Sequence, residues 1–251
     1  MLARTTLIAA VLSLVAVSTL DHGPFSWSSQ AAVTTTPAPV TKPYSPLIDP
    51  ADFGGPIDNP YLPLSPGTRF RYRGVGDDGK TREFNRVTVT KKTKRIIGID
   101  AVVVLDEVFA DGKPEERTFD WYAQDRDGNV WYLGEDSRNY EGGHWVRDDG
   151  SWTAGVGNGK PGIIMLAHPH SGDKYRQEYS PGHSVDQAKV LGKGGRVNTP
   201  FRSFRQTLLT REYSAIDKQY EKKWYARGIG VIQEDAVTKS RELSRLVAIK
   251  R

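Results

Sequence analysis

From Thr68 to Ile249 the chain alternates short runs of β-branched and aromatic residues with clusters of turn residues, and its apolar positions recur with a period of two. This pattern predicts strands near Thr68–Val75, Glu83–Ile96, Ala101–Phe109, Glu115–Asp125, Val130–Asp136, His144–Asp148 and Ser151–Val156. Further strands are expected near Lys174–Ser180, Ser184–Leu191, Thr207–Tyr213, Tyr220–Ala226, Ile229–Gln233 and Leu243–Ile249. Only Pro200–Leu209 offers room for a helical turn. Asp-Gly pairs at Asp78-Gly79, Asp111-Gly112, Asp127-Gly128 and Asp149-Gly150 each separate two such runs, which signals tight hairpins. Strands without intervening helices argue for an all-β, antiparallel sheet, barrel or sandwich.

The stretch Phe119–Asp136, FDWYAQDRDGNVWYLGED, shows both patterns of chemistry. Its acidic residues begin like a calcium loop, but a loop starting at Asp125 has valine at position six, where glycine is required, and Asp136 at position twelve in place of a bidentate glutamate. As a hairpin turning at Asp127-Gly128, it sets Gln124 opposite Trp131, Tyr122 opposite Leu133 and Asp120 opposite Glu135, all on one face. Phe119, Trp121, Ala123, Val130 and Tyr132 fall on the other, apolar face. Two carboxylates facing each other need water, an arginine, a shared proton or a cation between them, unless the end of the hairpin lies in solvent. A second hairpin, HWVRDDGSWTAG, turning at Asp149-Gly150, would put Arg147 beside Trp152. The four tryptophans of this region are then a thick core or a platform for sugar rings or lipid tails.

The flanks set the domain plan. Met1–Ala31 has a basic start, an apolar run from Leu7 to Leu20 and small residues near Ala31, as expected of a cleaved secretory signal. The run is too short to span a bilayer, so no transmembrane span is expected and the mature protein should be secreted or in the cell envelope. Nine of the fifteen prolines lie between Pro37 and Pro66, so residues 32–66 should be extended, with Ile57, Tyr61, Leu62 and Leu64 able to pin it to a single β domain at 67–251. The chain has no cysteine, so neither disulfides nor a lipidated cysteine can hold it, and stability must come from a core. A net charge of +5 suits anionic envelope polymers or acidic lipids weakly, and there is no nucleic-acid motif. The protein is expected to be monomeric.

Other chemistry is sparse. His168-Pro169-His170 could turn two imidazoles toward one zinc ion, with Glu178 or His183 completing it, but proline and the following turn place the pair in a loop; no metal and no cofactor are expected. The run Lys91–Ile96, KKTKRI, suits an exposed strand edge guarded by charge. A serine elbow, a phosphate loop and a cysteine nucleophile are all missing.

At Lys222–Asp235, KKWYARGIGVIQED, the chain resembles a closing motif, Trp/Tyr-Tyr-Ala-x-Gly-(Ile/Val)-Gly-x-(Ile/Val), of uncharacterised exported bacterial proteins, similar to TapB-like domains of unknown function. IDNPYLPLSPGTRFRY, GSWTAGV, PGIIM and GDKYRQEY extend the resemblance from Ile57 to about Val247. Arg227, where the motif has proline, and the AHPH run depart from it. The resemblance implies an antiparallel sheet curled into a half-barrel or open barrel, similar to periplasmic lipoprotein-carrier folds. Three functions follow as expectations. In the first, a non-enzymatic protein holds a lipidic or aromatic-stacking ligand on Tyr122, Trp131, Leu133 and Gln124, with Tyr175 and Tyr179 as further contacts. In the second, an extracellular glycoside hydrolase or lyase uses Asp120 and Glu135 as its catalytic pair. In the third, a structural protein touches anionic cell-wall polymer.

Overall fold

The computed structural model describes residues 44–216, 218–237 and 240–251; the secretory-signal expectation lies outside them. Its strands are β1 (Arg69–Val75), β2 (Arg82–Ile96), β3 (Ile99–Ala110), β4 (Lys113–Gln124), β5 (Val130–Glu141), β6 (His144–Arg147), β7 (Trp152–Thr153) and β8 (Gly162–Met165). They continue with β9 (Lys174–Arg176), β10 (Asp186–Lys193), β11 (Arg196–Asn198), β12 (Ser203–Arg205), β13 (Leu208–Ser214), β14 (Gln219–Ala226), β15 (Gly230–Ala236) and β16 (Leu243–Lys250). Among the described residues the one helical element is a single 3-10 turn at Pro50–Asp52.

Fourteen strands form one antiparallel sheet in the order β6-β5-β4-β3-β2-β1-β16-β15-β14-β13-β10-β9, with β7 and β8 added to the outer side of β5. The sheet is curled and does not close into a barrel. Its two ends approach at one bridge, Lys160 with Tyr179. There a β-carbon on Gly162 would stand 2.1 Å from the Gln177 carbonyl oxygen, so only glycine permits the approach. The segment expected to hold a helical turn, Pro200–Leu209, instead contributes β12 and the start of β13; β11 and β12 make a separate two-stranded hairpin.

The hairpin turns behave unequally. Asp111 and Gly112 both take positive φ, 47° and 79°, and join β3 to β4 in the two-residue turn that matches strand twist. Asp127-Gly128 lies within a longer loop closed by the Asp125 N–H donating to the Asn129 carbonyl. The expected β6–β7 hairpin at Asp149-Gly150 does not form, because both strands pair with β5; Trp152 lies opposite Glu135, not beside Arg147. The hairpin partner of β6 is reached through Gly142-Gly143, each at positive φ. KKTKRI lies on an overhang: β2 pairs with β1 only from Arg82 to Thr88, so beyond it the strand has β3 on one side alone. Lysines on that free edge oppose pairing with another chain.

The concave face and the segment laid across it make the core. Ile57, Tyr61 and Leu64 are buried there with Phe70, Tyr72, Val104, Tyr122, Tyr225 and Leu246. Asn59 ties the segment down, donating from Nδ2 to the Gly128 and Leu166 carbonyls at 2.8 and 3.1 Å.

Candidate functional site

Period two on curled strands sends alternate side chains inward, and several of those inward positions are charged. Asp120 on β4 lies directly opposite Glu135 on β5, the pairing expected from the hairpin, and both residues are 0% exposed. The register around them differs from the expected one. Gln124 pairs with Val130 and Tyr122 with Tyr132, one residue out of step with the expected turn, and a bulge between Asp120 and Tyr122 restores the alignment. Gly134 carries that bulge at φ 124°, and a β-carbon on it would meet the Trp152 carbonyl oxygen at 2.4 Å. The correction exchanges residues between faces: Tyr132 shares the inner face in place of Trp131 and Leu133.

Tyr132 then explains how two buried carboxyls coexist. Its hydroxyl lies 2.6 Å from Asp120 Oδ1 and 2.8 Å from Glu135 Oε2. A phenol has one proton to donate, so the second contact requires one carboxyl to keep its own proton and donate it back. Burial holds the Asp120 acid above the usual carboxylate range, against the Tyr132 hydrogen bond and the Lys223 charge. Glu178 belongs to the same buried region; it accepts from Trp152 Nε1 at 3.0 Å and from the Ser184 hydroxyl, and burial raises its acid as well.

The other half of the interior holds Lys223, which donates to Glu221 at 2.7 Å and Glu212 at 3.1 Å. Burial by itself would lower its ammonium, but Glu212, Glu221 and Glu234 hold it above the usual lysine value. Glu212 stays ionised in spite of burial, with Thr210 and Tyr225 hydroxyls donating to Oε1 at 2.9 and 3.1 Å. The ion pairs join Glu221 and Lys223, alternate residues of β14, to Glu212, which lies opposite Glu221 on β13. What hides them is the pairing of β13 with β14 inside the curl.

Between these clusters opens a cleft enclosing about 60 Å³. Leu62, Leu64, Phe70, Val87, Ile229 and Val231 supply much of its apolar lining, and Asn85, Tyr122, Lys223, Tyr225, Glu234 and Ser244 its polar groups. The Tyr122 ring stacks on Tyr132 at 4.8 Å, and its buried hydroxyl has no protein hydrogen-bond partner.

The remaining sequence candidates scatter. Gln124 clamps the covering segment: Oε1 accepts from Asp58 and Asn59 N–H at 3.0 and 2.8 Å, and Nε2 donates to Asp58 at 2.7 Å. Trp131 packs edge-on against Phe53 and donates Nε1 to Asp125 at 2.7 Å; Leu133 is fully buried. Tyr175 is half-buried near Glu212 and Lys223, and its hydroxyl also lacks a partner. The Tyr179 ring packs at a tilt against Tyr44, centroids 5.2 Å apart, beside Arg176 and Lys160. No described tryptophan is an exposed platform: Trp121 and Trp152 are buried, and Trp145 lies under Arg117 at 4.5 Å. His168 and His170 are exposed, Glu178 is interior, and His183 Nδ1 donates to the Asp149 carbonyl at 2.7 Å, so the supposed zinc set does not assemble.

Comparison with known proteins adds fold neighbours. No family model and no curated protein matches the chain. A Bacteroides fragilis protein provisionally assigned as exported, with a YmcC-like fold, aligns over 76% of this chain and 99% of its own at 18% identity and a TM-score of 0.44. A Parabacteroides distasonis protein provisionally assigned as a lipoprotein aligns over 77% and 100% at 12% identity and a TM-score of 0.40. The TapB-like resemblance therefore rests on the closing-motif residues alone.

Proposed function

We propose that the protein is a non-catalytic binding protein whose cleft takes the polar end of an amphiphilic or ring-bearing ligand. The observation that carries this reading is the Tyr122 hydroxyl, buried without a protein partner on a residue that lines a mainly apolar cleft. An unpaired buried hydroxyl costs about 1–3 kcal/mol, a cost that a ligand oxygen accepting from it would relieve. The enclosed space admits a head group of a few atoms; a chain or ring attached to it would lie along Leu62, Leu64 and Ile229. Apolar walls with a few convergent polar groups are the usual character of a ligand site. Export of the protein is part of the proposal and rests on the Met1–Ala31 pattern.

The hydrolase reading gains less support. A glycosidase needs a sugar between its carboxyls, whereas Asp120 and Glu135 are joined through one phenol, fully buried and outside the cleft lining. The test is displacement of a fluorescent acyl probe, with native mass spectrometry of protein from its own host. Probe uptake that Tyr122→Phe weakens and Ile229→Trp abolishes is expected. A clean ligand-free mass together with no probe uptake refutes the proposal.

A further inference from the structure

Beside the covering segment, a surface groove of about 410 Å³ gathers His168, His170, Lys193 and Arg227 with Pro60 and Tyr61. We propose that this groove binds a phosphoryl group carried on a larger soluble or lipid molecule.

Three chain segments far apart in sequence deliver these donors. Ala167 N–H donates to Asn129 Oδ1 at 2.9 Å, and His170 N–H donates to Asp173 Oδ2 at 2.7 Å, so the loop carrying the two imidazoles is held at both ends around a buried Pro169. Arg227 lies in the β14–β15 turn, which Gly228 N–H anchors on the Pro60 carbonyl at 2.8 Å. Lys193 ends β10, with its ammonium 5.7 Å from the Tyr61 ring centre. No carboxylate lines the groove, and among the described residues neither Lys193 nor Arg227 has an acidic partner within ion-pair distance. Asp173 is the one acid in contact, 3.8 Å from His170 Nδ1. The chain entering the groove also biases its field: from Asp186 to Glu212 it carries Lys189, Lys193, Arg196, Arg202, Arg205 and Arg211 and no acid between them.

The donor set matches a phosphoryl group. A guanidinium fork meets two of its oxygens, an ammonium adds a point charge, and an imidazole donates through a ring N–H even when neutral. A planar carboxylate would engage only part of this set. The groove is several times larger than the anion, so the phosphoryl group arrives on a body such as a glycerol or sugar, free or as a lipid head group.

The probes are inorganic phosphate, glycerol phosphate, and vesicles of phosphatidylglycerol or phosphatidylcholine, used with the folded protein. Imidazole NMR shifts of His168 and His170 should saturate with the soluble phosphates, or the protein should sediment with phosphatidylglycerol vesicles but not with phosphatidylcholine ones. Binding to the soluble probes identifies a free phosphoryl ligand, and vesicle binding alone a lipid head group. Lys193→Glu/Arg227→Glu should weaken the positive interaction at least tenfold, while Lys91→Glu/Lys92→Glu, with the same charge change on the β2 overhang, should leave it within twofold. Equal losses in the two double variants would reduce the effect to net charge and overturn the proposal, as would no response to any of the probes.

Discussion

Replacing Glu116 by glutamine should flatten the pH dependence of stability. Glu116 lies on β4 opposite Asn139, at the edge of the buried acidic region, and accepts from the Thr118 hydroxyl at 2.9 Å. Burial pushes its acid up to about 8; Thr118 partly offsets this, and the nearby Asp148, Asp120 and Glu115 add to it. In the unfolded chain a glutamate titrates near ~4.3. Between those values the folded state holds a proton that the unfolded state has lost, so stability falls as pH rises, by about 1.4 kcal/mol per pH unit. From pH 5 to pH 7.5 the wild type should lose about 3 kcal/mol through this one group. Glutamine keeps the size and hydrogen-bonding shape without the titration. Urea unfolding followed by tryptophan fluorescence at pH 5, 6, 7 and 7.5 measures the difference. The gap between wild type and Glu116→Gln should shift by about 3 kcal/mol across that range in favour of the variant at higher pH. Two parallel stability curves would refute the assignment of a buried, protonated Glu116.

Three further outcomes test the interior. Tyr122→Phe removes a buried hydroxyl without a partner and should stabilise the ligand-free protein by about 1 kcal/mol, read as a higher urea midpoint, while weakening probe binding. Lys223→Met strands Glu212 and Glu221 and should cost about 3–5 kcal/mol at neutral pH; recovery on mild acidification, as the orphaned acids take up protons, would separate lost charge pairing from lost packing. Gly134→Ala puts a β-carbon against the Trp152 carbonyl at positive φ and should destabilise by more than about 1 kcal/mol, whereas Gly112→Ala, with open space around it, should show only the smaller backbone cost. Similar thermal midpoints for the two glycine variants would count against the bulge.

The all-β class and the long strands were readable because alternation and turn chemistry are local, while the short β8, β11 and β12 fall outside the expected strands. Asp120 opposite Glu135 was readable too, though by a compensation: the loop at Asp125–Asn129 shifts the register by one residue and the bulge at Gly134 shifts it back. A glycine inside a strand pattern was the available signal for that bulge, and it would have brought Tyr132 to the inner face. β6 and β7 were read as a hairpin because Asp149-Gly150 has the right residues, yet β5 is long enough to pair with both. Lys223 with Glu212, and Arg227 with His168, meet through pairings and turns distant in sequence, which no local pattern encodes. Which face of each strand turns inward is defined only once the sheet has curled.

The strand order has a consequence for how the molecule is assembled. β1 and β16 lie side by side at the middle of the sheet, Arg69 against Lys250 and Val75 against Leu243. Strands β1 to β5 follow one another as neighbours, and so do β13 to β16, so either half can zip up from its own turns. The seam between the halves joins β1 to β16, strands far apart in sequence, so it closes the longest loop in the sheet. Until that seam closes, the two half-sheets each carry a raw edge. That makes β16 a latch. A peptide copying Leu243–Lys250 should compete for the seam during refolding and leave the finished protein untouched.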